Sequence, residues 1–157
     1  MLDQSEQKIV DDVRAVGWHC LCIEADDSGP SFAYTIGLQI TFRHPEVIIF
    51  GLPPQTAHGV LSSIVDLLKK GRAFTTACTA ADVLEEYTVA FDVARPEQID
   101  EYFGAGLWYR RYLRLQSLLH AVQCFWPDKS GKFPWQRECA KSVKSLQANL
   151  CSKNRDH

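Results

Sequence analysis

Apolar positions in this chain change period several times, and each change marks an element. Between Gln4 and Val16, Ile9, Val10 and Val13 recur at helical spacing, with acidic residues early and Arg14 late. Gly17 follows where a left-handed helix stop belongs, so the spacing predicts an amphipathic first helix. Trp18 to Glu24 reads as a β-rich stretch. The cluster Asp26-Asp27-Ser28-Gly29-Pro30 then reads as a turn, and Phe32 to Leu38 completes a hairpin. After a polar link, Glu46-Val47-Ile48-Ile49-Phe50-Gly51 is a continuous apolar run bounded by Pro45 and Pro53-Pro54. That pattern predicts a strand buried on both faces and makes it the candidate central strand.

Pro54 sits at a helix start, and Ala57, Val60, Leu61, Ile64, Val65, Leu67 and Leu68 keep helical period until Lys69-Lys70-Gly71. From Arg72 to Val93 β-branched and aromatic residues take over, with Tyr87 to Val93 as a second long strand. Pro96 to Phe103 reads as a short helix with Gly104 behind it, and Trp108 to Leu119 is helical in composition. Leu119 to Trp126 fits an edge or a central strand equally well, and periodicity leaves that open. Pro127 to Trp135 is a turn by its Pro, Asp and Gly, Gln136 to Leu150 is helix-compatible, and residues 152–157 are expected to fray. The expected architecture is a single α+β domain over residues 1–151, a mainly antiparallel sheet of about five strands packed by two to four helices.

Composition narrows the function classes. A chain of 157 residues with 46% hydrophobic content, including eight Phe, five Tyr and four Trp, can bury a full core without a metal or disulfide staple. The net charge of -2 is interspersed, so no basic stripe follows a phosphate backbone and nucleic acid is not an expected partner. The first residues are acidic and polar and no apolar run reaches spanning length, which argues against export and membrane insertion. The six cysteines are scattered, which suits reduced thiols and a cytoplasmic setting. Cys20-x-Cys22 lacks the paired spacing of a structural zinc site, most of the thiols are expected to be small core residues, and neither metal nor cofactor is expected.

The strings Gly17-Trp18-His19, Phe32 to Leu38, His44-Pro45-Glu46, Phe50-Gly51-Leu52-Pro53 and Trp126 to Trp135, in that order, resemble the bacterial domain-of-unknown-function family numbered 4262. The resemblance runs from Gly17 to Trp135, with Gly71 to Val93 less typical. It implies no activity, because the family has none established.

The candidate chemistry lies in the polar members of these strings. His44 and Glu46 precede a buried strand, where a His and a carboxylate could hold a metal or move a proton, or simply fix the loop through backbone hydrogen bonds. Tyr34 and Thr35 lie in a half-buried strand whose hydroxyls need partners, either ligand or protein. Gln123, Trp126, Asp128 and Trp135 bracket an aromatic turn that could rim a pocket or cover the sheet, with Asp128 capping its own turn. The common phosphate-loop, dinucleotide, zinc-protease and nucleophile-elbow strings are absent from the sequence. Two readings follow. One is a binding module that recognises a protein partner, as an immunity or regulatory protein does. The other is a small-molecule enzyme or sensor whose pocket takes in Tyr34, His44, Glu46 and Asp128. A homo-oligomer is compatible with either.

Overall fold

A computed structural model describes residues 1–151 of the chain; the expected fraying of residues 152–157 lies outside the described residues. The helix α1 (Gln4–Val16) begins at a capping box in which Asp3 accepts from the Glu6 backbone and Glu6 reaches back to the Asp3 backbone. It ends at Gly17 in the left-handed region. Strands β1 (His19–Ile23) and β2 (Phe32–Ile36) form the expected antiparallel hairpin. β3 (Glu46–Phe50) is buried at every position, as its unbroken apolar run predicts. α3 (Pro54–Lys69) follows, then β4 (Cys78–Ala80), β5 (Val89–Val93), α4 (Pro96–Tyr102), α5 (Gly104–Tyr112), β6 (Ala121–Phe125) and α6 (Lys141–Leu146).

The six strands make one sheet in the order β1-β2-β3-β6-β5-β4. β3 and β6 run parallel at its centre, and every other neighbouring pair is antiparallel. Alternation along the strands divides the core. Ala33, Val47, Ile49, Val122 and Cys124 face α3, and Tyr34, Ile36, Ile48 and Phe50 face the layer of α1, α4 and α5. The fold is therefore one α+β domain with helices on both faces of a mostly antiparallel sheet.

Differences from the sequence expectation have local causes. The stretch that fits edge or central strand is the central β6, because both of its faces find a core. The polar link after β2 contains a single-turn helix, α2 (Leu38–Thr41), too short to show a period. Tyr87 and Thr88 stay outside β5, and the three-residue β4 adds a sixth strand. Gly104 opens α5 rather than closing α4, and α6 uses only six residues of the helix-compatible span Gln136 to Leu150. Within Lys141–Leu146 no residue is buried, and the buried Cys139 and Leu150 lie outside it, so a longer helix has no continuous apolar face to dock.

Candidate functional site

The polar residues of the sequence strings are buried and turned toward protein. Glu46 is 4% exposed at the start of β3. Its Oε1 accepts from the Thr35 hydroxyl at 2.7 Å and the Leu38 amide at 3.1 Å, and its Oε2 accepts from the amides of Gly37 at 3.2 Å and Gln39 at 3.1 Å. One carboxylate thus closes the turn that carries β2 into α2 and satisfies amides that α2 cannot pair within itself. Burial raises its pKa to about 7 against the pull of these donors. Thr35 also accepts from the Val47 amide at 3.0 Å, so its hydroxyl is committed on both sides.

His44 lies outside β3 and faces a different segment. Its Nδ1 donates to the Pro45 carbonyl at 2.7 Å, and its Nε2 accepts from the Phe74 amide at 2.9 Å. This pairing requires a neutral ring, and burial holds its pKa below the ordinary value. His44 and Glu46 therefore do not converge on a shared atom; each ties down a separate loop. The Tyr34 hydroxyl accepts from the amides of Ala105 and Gly106 in the first turn of α5, at 3.2 and 3.4 Å. Burial pushes that phenol up to about 12. Gln123, fully buried in β6, donates to the Ala148 carbonyl and accepts from the Leu150 amide at 2.8 Å, so it binds the C-terminal segment to the sheet.

The turn after β6 is built around Asp128. Its Oδ1 accepts from the amides of Ser130 and Lys132 at 2.9 Å, and its Oδ2 accepts from the Ala140 amide at 2.8 Å. These bonds hold the carboxyl below its usual range. Trp135 stacks on Phe133 with ring centroids 4.9 Å apart and meets Phe125 edge-on, covering the sheet beside Ala90. Trp126 donates from its indole to the Phe50 carbonyl at 2.7 Å, and Gln147 bridges its backbone amide and carbonyl.

Among these residues, Trp126 and Asp128 line a cleft. It lies beside the point where the parallel strands β3 and β6 end side by side. Its volume is about 350 Å³. Leu52 from the end of β3, Thr56 and Val60 from α3, Leu84 and Tyr87 from the β4–β5 connection, and Val143 from α6 complete the wall with Trp126, Pro127, Asp128 and Lys129. The wall is overwhelmingly apolar, and its carboxylate is already spent on three backbone amides. Leu52, Thr56, Val60, Leu84, Tyr87 and Val143 were not candidate residues in the sequence. They are ordinary core and loop types spread over some ninety positions, and only Leu52 sits in a marked string.

A second cleft of about 390 Å³ opens between α1, β1 and α3. It is lined by Trp18, stacked on His58 with centroids 5.8 Å apart, and by His19, whose Nδ1 lies 2.7 Å from Asp12 Oδ2. Asp12 is pushed up by burial but brought below its ordinary value by His19 and Lys8. Among the described residues, no group of three or more His, Cys, Asp or Glu side chains is placed to hold a metal, and no helix is long and apolar enough to cross a membrane.

An open sheet with one central parallel pair and a cleft at the ends of that pair defines the architectural class. The family described as Domain of unknown function (DUF4262) matches residues 12–140, and the chain belongs to it. No curated protein and no solved structure matches the chain.

Proposed function

We propose that this protein is a non-enzymatic, cytoplasmic binding module that recognises a protein partner through the cleft at the ends of β3 and β6. The observation that carries this reading is the make-up of the wall: Leu52, Val60, Leu84, Trp126, Pro127 and Val143 supply its apolar side, with Thr56, Tyr87, Asp128 and Lys129 as polar members. Apolar and aromatic side chains in a shaped recess are what anchors of a protein interface occupy. A volume of about 350 Å³ accommodates one or two bulky side chains of a partner segment and lies at the lower end for a small-molecule pocket.

The chemistry of the wall argues against turnover. A general base must reach a substrate proton, and the carboxylate oxygens of Asp128 are both held by amides. Tyr34, Thr35, His44, Glu46 and Gln123 have their polar atoms paired within the protein. A regulatory or immunity role, in which the module occupies another protein, follows from recognition without turnover.

Native mass spectrometry of the chain purified from its own cells tests this reading. A stoichiometric protein complex that dissociates in the Leu84→Glu variant, at a half-buried position of the cleft wall, is the expected result. A bound small molecule lost from that same variant, with no protein partner, overturns it.

A further inference from the structure

β1 is an edge strand, and two of its residues two positions apart carry thiols. Side chains at i and i+2 of a strand share a face, and here that face looks toward α3. Cys20 packs against the α3-side core, and Cys22 lines a recess of about 200 Å³ together with Ala33, Leu52, Pro54 and Ala57. The two Sγ atoms stand 3.9 Å apart, and both cysteines are free thiols. Cys20 is partly buried and Cys22 is exposed, so the pair is backed by apolar surface on one side and open to solvent on the other.

We infer that Cys20 and Cys22 form a two-thiolate site for a soft monovalent cation, copper(I). Thiolate is the ligand class that selects such a cation over harder ones. The zinc–thiolate length of about 2.3 Å sets an upper guide for a two-coordinate ion, so a linear S–metal–S unit spans at most roughly 4.6 Å. The observed 3.9 Å separation reaches that span with a small rotation of two side chains. Zinc takes four ligands in a structural site, and the described residues place no third or fourth His, Cys, Asp or Glu with the pair. The recess beside Cys22 is mainly apolar, and Glu24 and Ser31, its polar side chains, fall short of the roughly six or more oxygens a hard cation takes.

Loading displaces the thiol protons: one copper(I) ion and two thiols give a bis-thiolate copper(I) anion and two protons released to water. Two metal–sulfur bonds form, two S–H bonds break, and no electron is transferred.

The test is an anaerobic competition titration of the full reduced chain against bicinchoninate, a chromogenic copper(I) chelator. The expected result is one copper ion withdrawn per chain. Cys22→Ser, at an exposed position that folding tolerates, and Cys20→Ser should each weaken the apparent affinity by about a hundredfold, whereas Cys139→Ser leaves it unchanged. Failure to withdraw copper, or full retention of it by the folded Cys22→Ser variant, overturns the assignment.

Discussion

The Thr35 hydroxyl donates a 2.7 Å hydrogen bond to the buried Glu46 carboxylate while accepting one from the Val47 amide at 3.0 Å. Through this pair the first residue of β3 fixes the middle of β2 and the turn into α2, so the joint is a stability element. Glu46→Ala strands the amides of Gly37, Leu38 and Gln39 and should cost about 3–5 kcal/mol. Thr35→Val removes one donor and should cost about 1–3 kcal/mol. Urea unfolding monitored by Trp fluorescence gives both values, and equal small losses would refute the assigned role.

Glu46 and His44 should impart opposite pH dependences. Glu46 has a folded pKa of about 7, above its ordinary 4.5. The native state holds this proton more tightly than the unfolded chain, so the contribution is complete below pH 4.5 and fades as pH rises through 7. Burial depresses His44 below 6.5 in the fold, and a protonated ring could no longer accept from the Phe74 amide. Its contribution is complete above pH 6.5 and is lost as pH falls through the lower native value. Subtracting the stability profile of Glu46→Gln from that of wild type isolates the first slope, and His44→Gln isolates the second. Slopes of the same sign would contradict these environments.

Gly51 controls whether α6 docks. Its φ of +82° is left-handed, and a Cβ built there would lie 2.6 Å from the Leu146 Cβ and 2.8 Å from the Leu146 carbonyl oxygen. Gly51→Ala should destabilise the protein by about 2–4 kcal/mol through backbone strain and the displaced helix. It should also weaken partner binding, since α6 supplies Val143 to the cleft. Thermal melts and a binding titration check the two effects separately.

Asp128 acts on local order around the cleft. Asp128→Asn replaces one accepting oxygen by a donor facing an amide, so the amides of Ser130, Lys132 or Ala140 lose their partner. Hydrogen exchange at those three amides should accelerate by about tenfold, with β3 amides unchanged. Unchanged exchange at all three would show that the turn holds without the carboxylate.

How far the sequence discloses this molecule depends on the range of the signal. β3 is readable because Val47, Ile48, Ile49 and Phe50 form an unbroken apolar run, and α3 because seven apolar positions repeat at helical spacing. β6 is ambiguous from Leu119 to Trp126 because burial on both faces erases alternation. The polar strings mark Tyr34, Thr35, His44, Glu46, Gln123 and Asp128 as special, but their hydrogen-bond partners come from segments brought alongside by tertiary structure, such as Phe74 to His44 and Ala105 to Tyr34. The cleft is harder still to foresee: Val60, Leu84 and Val143 follow ordinary periodicity and meet only once β3 and β6 are neighbours.

Recognition through the cleft is tested most directly by site-specific photo-crosslinking in cells. A photoreactive residue at Thr56, on the cleft wall, should capture one protein partner, and one at Lys8, on the exposed face of α1, should not. The account predicts that the Thr56 crosslink disappears when Leu84→Glu, at a half-buried wall position, is added to a chain that still folds. A crosslink that survives Leu84→Glu, or one of equal yield from Lys8, would contradict it.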